Sequence, residues 1–383
     1  SGPVVVNVAA GTYTEQFQLN AITGASSTNT ITINGGAATL AYASGAVVDL
    51  NGADYVKIDN LKISVTAAAT QSGARGVWIH NQSDYNTISN CEINFTTHNA
   101  TSNLASGYIM FTASATSATS TGNHGIGNTI TKNTMKGSTN AVGPYYGVSD
   151  YRTSSNSEAQ TVMSENVIRD FYYFATYFYY ARGIQIVKNE ILANRSDASY
   201  SYAGYVYYGA SSNMQFKFNE NNIHDLSNSG YVYAGYFYYN QGTSTVNSEF
   251  KNNTFNKNKA SSYVYGFQLN YMDYTAVDNN KFTNCESSYI YYGFSVSYSP
   301  NSTIQGNEFS GNKASSYHYY TFRVYYSNNV SMKSNVMKNN ESSNYFYYTF
   351  YIYYSNNVKH EDNEFSGNKS SNYFYYTNYI YYS

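Results

Sequence analysis

The 383-residue chain predicts an all-β solenoid, a stack of coils built from short parallel strands. Three observations predict it. An asparagine-anchored motif recurs along most of the chain, short stretches of alternating polarity precede it, and the 48 tyrosines fall into columns at fixed phases of the repeat.

The repeat is exposed by aligning SNNVSMKSNVM (327–337) on SNNVKHEDNEF (355–365). An Asn, then any residue, then an apolar one recurs at Asn166, Asn189, Asn253, Asn280, Asn307, Asn335 and Asn363. Asn222 fits more loosely, with Ile223 directly after it. The last five anchors are 27, 27, 28 and 28 residues apart. Weaker members reach back through Asn133, Cys91 and Leu61. The Asn253, Asn280, Asn307, Asn335 and Asn363 series is expected to form an asparagine ladder. Each amide would bond its neighbours above and below at a tight turn, where Asn tolerates the left-handed conformation.

The stretches before the anchors, such as YVKI (55–58), NTIS (86–89), IQIV (184–187) and QFKF (215–218), alternate with period two, the mark of a strand. One short strand every 27 or so residues, with no helical periodicity, describes a solenoid with one coil per repeat. Coils stacked at the strand spacing of about 4.8 Å would make a rod of roughly 50 Å for eleven turns.

Composition agrees. Charged residues make up 11% of the chain, only 3 residues are Pro, and the net charge is −2. No block of Lys or Arg offers an electrostatic footprint for nucleic acid, and no apolar run is long enough to span a membrane. Cys91 and Cys285 form no metal or redox pattern and read as isolated structural thiols.

The stretch VVVNVAAGTYTEQFQLNAITGASSTNTITINGG (4–36) resembles the opening of secreted bacterial right-handed parallel β-helix proteins. GVWIHNQSDYNTISNCEI (76–93) is similar to their repeat. In architecture the resemblance covers nearly the whole chain, in wording about the first third. It implies a right-handed, pectate-lyase-like β-helix with three strands per coil, on a secreted surface protein exported by a type IX-like route. The expected organisation is one continuous domain of about eleven or more coils. Capping strands occupy 1–50, coils with inserted loops 51–170, and regular tyrosine-rich coils 171–383. Those last coils depart from the family's usual Val/Ile/Leu filling.

Eight tyrosines precede residue 171 and 40 follow it. Tetrads such as YFYY (177–180) and YIYY (351–354) align so that the second position is always apolar: Phe178, Val206, Phe237, Leu269, Val296, Val324, Ile352 and Ile380. The fourth is always Tyr180, Tyr208, Tyr239, Tyr271, Tyr298, Tyr326, Tyr354 or Tyr382. Strand alternation places these two positions inward and the first and third outward. A second column comprises Tyr265, Tyr292, Tyr320, Tyr348 and Tyr376. The outward Tyr347, Tyr351, Tyr353, Tyr379 and Tyr381 are not needed by a core, and contiguous exposed aromatic surface marks an interaction face.

No catalytic constellation, cofactor motif or metal spacing is found, so the chain is expected not to be an enzyme. Asp150 and Arg152 in SDYR, and His360, Glu361 and Asp362 in KHED, read as solvated turn residues or ordinary outward variation, as do Asp170, His224 and Asp225. The final YYS lacks a polar cap, so either more protein follows, such as a sorting domain, or the open end is expected to dock on the apolar first strand of another copy through Val4, Val5, Val6, Tyr379, Ile380 and Tyr381. The leading functional expectation is therefore an extracellular structural protein that is its own partner, assembling head to tail into a filament. A glycan-binding adhesin or a polysaccharide-degrading enzyme is the alternative. Charge hopping along the tyrosine columns is a further idea.

Overall fold

The computed structural model describes residues 2–211 and 213–382. Ser383, the last residue of the expected uncapped turn, lies outside the described residues. The chain forms two compact units, 1–193 and 194–383. Both are all-β and parallel. Helical structure among the described residues is a single 3-10 turn, Ser154–Asn156.

In the first unit, each coil passes through three sheets in turn. Val4–Asn7 lies in the first, Gly11–Tyr13 in the second and Phe17–Asn20 in the third, and the chain then returns to the first at Ile31–Asn34. Seven strands of this unit line the first sheet, from Val4–Asn7 to Gln185–Val187. The second unit contributes six strands to its own first sheet, from Lys217–Asn219 to Lys359–Glu361. It adds a fourth, two-residue strand to each coil, as at Lys259–Ala260 and Glu286–Ser287. Pairing is in register, for example Phe255↔Phe282 and Phe282↔Phe309. Equivalent residues of successive coils therefore lie directly over one another.

Inward positions are filled by apolar side chains, and in the second unit these are largely aromatic. Phe218, Phe237, Phe250, Phe267, Phe294, Phe322 and Phe350 are all fully buried. Phe282 stacks on Phe309 with centroids 5.0 Å apart and planes at 4°, while Phe267 meets Phe282 edge to face at 5.0 Å. Rings satisfy an in-register stack because they pack on copies of themselves. Of the tetrad second positions, Phe178, Val206, Phe237, Leu269, Val296, Val324 and Ile352 are buried, and Ile380, in the last described strand, is exposed.

The corners carry the polar order. Asn280 is fully buried; its backbone N–H and its Nδ2 both donate to Asn307 Oδ1, at 2.9 and 2.9 Å, and Nδ2 also donates to Phe250 O at 2.7 Å. Asn307 repeats the pattern onto Asn335, at 3.0 and 2.9 Å, and Asn335 onto Asn363, at 2.9 and 2.8 Å. The expected ladder is present, with two corrections. Its member in the coil of 222 is Asn221, bonded to Asn253 at 2.9 Å, and not Asn222. The left-handed residue is not the asparagine but the one before it: Lys132, Glu165, Lys188, Asn252, Asn279, Ser334 and Asp362 have φ between 52° and 57°. That residue swings the next side chain into the interior, where its amide can reach the coils on either side.

A second corner ladder, absent from the sequence reading, runs through Asn258, Asn312, Asn340 and Asn368. Asn312 N–H donates to Asn340 Oδ1 at 3.1 Å, and Asn340 N–H to Asn368 Oδ1 at 3.0 Å. The two cysteines occupy ladder slots. Cys91 N–H donates to Asn133 Oδ1 at 2.9 Å and Cys285 N–H to Asn312 Oδ1 at 3.1 Å. Both are buried and unbridged, and burial pushes their thiols up to about 11 and about 12.

Stacking equals on equals would set like charges face to face, which destabilises a pair of strands. On the fourth sheet the sign alternates instead. Lys259↔Glu286, Glu286↔Lys313, Lys313↔Glu341 and Glu341↔Lys369 are register partners, with ion pairs of 3.4 Å at Lys259–Glu286 and 3.7 Å at Lys369–Glu341.

Replacing Asn307 by Ala strips two donors of Asn280 of their acceptor inside the core, and each buried group left unpaired costs about 1–3 kcal/mol. Asn307→Ala is expected to lower stability by roughly 2–4 kcal/mol in denaturant unfolding, whereas Gln305→Ala, at an exposed strand position, changes it by less than about 0.5 kcal/mol.

Candidate binding site: a notch in a tyrosine-tiled face

In the second unit the outward side of the third sheet is tiled with tyrosine. Tyr202, Tyr233, Tyr265 and Tyr292 form one column, with centroids 4.3, 4.3 and 4.7 Å apart and planes within 10°. Tyr200, Tyr231 and Tyr263 form another at 4.6 Å. Tyr325, Tyr353 and Tyr381 form a third at 5.3 and 5.2 Å. These spacings follow the strand spacing of about 4.8 Å, so the backbone register itself sets the stack.

The fourth-position tyrosines also stack, but not inside. Tyr208, Tyr239 and Tyr271 are 4.9 Å apart step by step, Tyr271–Tyr298 is 4.8 Å, Tyr298–Tyr326 5.3 Å, Tyr326–Tyr354 5.1 Å and Tyr354–Tyr382 4.9 Å. Contrary to the inward placement expected from alternation, Tyr298, Tyr326 and Tyr354 are 38–39% exposed. All eight positions, Tyr180 included, have φ between 47° and 59°. Alternation fails because the strand has ended: the left-handed corner points the ring out and the next residue in. Ser299, Ser327 and Ser355 are those inward residues, and Ser299 N–H donates to Ser327 Oγ, and Ser327 N–H to Ser355 Oγ, at 2.9 Å each.

Within a stack each ring covers the faces of its neighbours, so the columns offer ring edges and hydroxyls to the outside. One place differs. Between Ile290–Ser297 and Tyr317–Tyr325 the register slips: Tyr291 faces His318, but Tyr292 faces Tyr320, leaving Tyr319 as an extra residue. This bulge breaks the expected second column. Tyr292 meets Tyr320 at 60° and Tyr319 at 52°, and Tyr319 meets Tyr347 at 49°. Tyr319 is 39% exposed, whereas Tyr320 lies buried on the same outer face beneath Arg323 and donates to Gln268 Oε1 at 3.2 Å. Stacking resumes at Tyr348–Tyr376, 5.8 Å and 9°.

Beside the bulge the row Tyr205–Tyr236 gives way to Gln268, Ser295 and Arg323 before returning to Tyr351 and Tyr379. The short serines leave a notch, and Arg323 lies in it. Its Nε donates to Ser295 Oγ at 2.9 Å and its Nη2 to Ser297 Oγ at 3.1 Å, with the guanidinium 4.9 Å from the Tyr320 ring and 5.1 Å from the Tyr325 ring. Gln268, Ser295 and Ser297 are outward in phase yet buried, because Arg323 and Tyr320 roof them. The sequence signal was RVYY (323–326) in a row that otherwise carries tyrosine.

The acidic and basic residues singled out from sequence lie elsewhere. Asp150 is not a solvated turn residue. It sits in the strand Tyr146–Tyr151, fully buried, with Arg152 Nε at 2.7 Å and His124 Nδ1 at 2.9 Å. Burial pushes its carboxyl up, but Arg152 and His124 outweigh that and hold it below the ordinary value. Arg152 also donates to Glu158 O at 2.7 Å, so the cluster clips the two inserted loops. Asp170 is buried too, accepting from Gly137 N–H at 3.3 Å. In KHED, His360 pairs in register with buried Met332 and packs 4.8 Å from Phe350; it is an inward residue, not outward variation. Glu361 and Asp362 are exposed, as is Asp225 beside His224. A pair missed from sequence, Asp49 and His80, is joined at 2.8 Å, with His80 stacked 3.8 Å from Trp78. Val4, Val5, Val6, Ile380 and Tyr381 are exposed, and Tyr379 partly so, in the first and last described strands. Among the described residues no helix is long and apolar enough to cross a membrane.

Residues 237–382 match the family model described as right handed beta helix region. The match covers the tyrosine-rich coils from residue 237 onward. With the parallel coils described above, it bears out the β-helix resemblance read from the sequence. No curated protein matches the chain by sequence. Among solved structures, the Dettilon tailspike protein is similar at 11% identity and a TM-score of 0.43, over 91% of this chain and 62% of its own. A lacto-N-biosidase from Eubacterium ramulus is similar at 9% and 0.35, over 98% and 62%. PfbA, a surface adhesin of Streptococcus pneumoniae, is similar at 9% and 0.34, over 95% and 85%. The chain thus spans less than two thirds of the first two. At these TM-scores the likenesses support no argument about what the chain binds or does.

Burial and neighbouring phenols push Tyr292 up to about 12. Tyr233, Tyr265 and Tyr351 are raised as well, first by burial and then by adjacent tyrosines. In the unfolded chain these phenols ionise near pH 10, so above that pH the unfolded state sheds protons first. Their contribution to stability is complete below about pH 10 and is lost as pH rises toward about 12. Phenolate absorbance is expected to show a late fraction in the folded protein that titrates near pH 10 in denaturant. A single transition near pH 10 in both states would contradict this packing.

Proposed function

We propose that the protein is a carbohydrate-binding protein whose tyrosine-tiled face receives an extended glycan at the notch. The observation that carries the reading is the coincidence, over three successive coils, of turned aromatic rings with polar groups. The bulge takes Tyr319 and Tyr320 out of the columns just where Gln268, Ser295 and Arg323 interrupt one tyrosine row and Asn270 and Ser297 the next. A sugar ring has C–H-rich faces that suit an aromatic face, whose quadrupole is negative, and a polar rim that suits hydroxyl and guanidinium donors. The surrounding columns supply rigid phenol-edged area at little entropic cost, as tyrosine does in other recognition surfaces.

Head-to-tail self-assembly stands as the competing proposal, and the same samples test both. Immobilised oligosaccharides of varied composition are expected to capture the wild-type chain, with capture reduced at least tenfold by Tyr319→Ala, which removes an exposed ring without touching the core. Capture unchanged by Tyr319→Ala would remove the notch from the reading. Filaments in negative stain from wild type and Tyr319→Ala alike, with no glycan captured, would favour assembly.

A further inference from the structure

The notch holds a positive charge with no negative partner. Arg323 is half-buried, and neither an Asp nor a Glu approaches it among the described residues, whereas other basic residues of this unit, such as Lys251, Lys259, Lys333, Lys338 and Lys369, are paired with carboxylates. A guanidinium carries five N–H donors in a fixed planar fork. Two of them are spent: Nε on Ser295 Oγ and one Nη2 hydrogen on Ser297 Oγ, which together occupy the side-on edge. The remaining Nη2 hydrogen and one Nη1 hydrogen form the end-on edge, for which no protein acceptor is present among the described residues. The neighbours hold the group still rather than neutralise it. Tyr320 and Tyr325 lie within 5.1 Å of its carbon, and Tyr320 is itself pinned on Gln268, whose Nε2 donates to Gly293 O at 3.0 Å. An arginine so fixed has lost most of its rotamer freedom before any ligand arrives, and its open edge matches the two oxygens of an oxyanion.

We propose that Arg323 is a recognition site for an oxyanion substituent, a carboxylate or a sulfate, carried by the ligand of the tyrosine face. This rests on the carbohydrate-binding reading for the nature of the ligand, but not for the anion site itself. A neutral sugar's hydroxyls can accept from the open edge of the guanidinium but leave its charge uncompensated once the notch is covered. A carboxylate or sulfate there accepts two N–H bonds and compensates the charge, while the Tyr320 and Tyr325 rings shield the pair from water. Arg323 thereby sets the preference for acidic over neutral chains, and Tyr319 contributes to both.

Two measurements test this. In the first, isothermal titration compares a neutral oligosaccharide with its C6-oxidised (uronate) and sulfated counterparts, using wild type, Arg323→Gln and Arg323→Lys. The expected result is tighter binding of one or both acidic forms. Arg323→Gln should cut that affinity roughly ten- to a hundredfold, a loss several times larger than any it causes for the neutral form, and Arg323→Lys should restore part of it. In the second, sodium sulfate and sodium acetate alone, at constant ionic strength, are expected to raise the melting temperature of wild type but not of Arg323→Gln. Equal affinity for neutral and acidic forms, with no anion-dependent shift, would overturn the oxyanion site and leave the carbohydrate reading standing. An anion-dependent shift lost in Arg323→Gln, with no oligosaccharide bound, would keep the site and overturn the carbohydrate reading.

Discussion

Everything in this fold depends on the corner where a left-handed residue delivers a buried asparagine to the coils on either side. Asn280 shows what it does: three bonds, two to the next coil and one to the preceding one, all inside the core. A left-handed backbone costs a non-glycine residue on the order of 1 kcal/mol. Each corner offsets that by satisfying groups that would cost more if left unpaired. The geometric consequence is as important as the energy. An amide that must reach its own copy one strand spacing away permits only one register, and a fixed register puts every other side chain over its equivalent.

The rest follows from that constraint. Side chains that tolerate stacking on themselves accumulate: phenylalanine inside, tyrosine outside, serine and asparagine at corners. Side chains that do not are arranged to avoid it, as in the alternating Lys259, Glu286, Lys313, Glu341 and Lys369 row. Stacked tyrosines close each other's faces, so a perfectly regular face would expose only edges. Tyr319, the one extra residue between Tyr317 and Tyr325, undoes this locally, and polar residues fill the adjoining row on this coil and the two before it. The proposed binding site is thus built by interrupting the repeat.

Much of the fold was legible because it is periodic. Coil length, strand phase, the Asn253 to Asn363 ladder and the buried tetrad positions all emerge from spacing alone. What spacing could not show was the conformation at the end of a strand. The inward assignment of Tyr298, Tyr326 and Tyr354 extended alternation one residue too far, and the same left-handed corner displaced the turn role from each ladder asparagine to its predecessor. Asp150 was misplaced for a different reason. Its burial depends on His124 and Arg152 from inserted loops, and loops carry no repeat to align. The notch lay in plain view as Gln268, Ser295 and Arg323 in a tyrosine row, but its meaning required knowing that the bulge lays Tyr320 over Gln268.

Hydrogen exchange on the ladder itself tests the central claim most directly. The backbone N–H groups of Asn253, Asn280, Asn307 and Asn335 sit at tight corners, yet each is bonded to a buried amide oxygen of the next coil at 2.9–3.0 Å. They are expected to exchange as slowly as the strand amides of Thr254–Asn256 and Lys281–Thr283. Exchange at the rate of ordinary turn amides would show that the corners do not hold the coils in register.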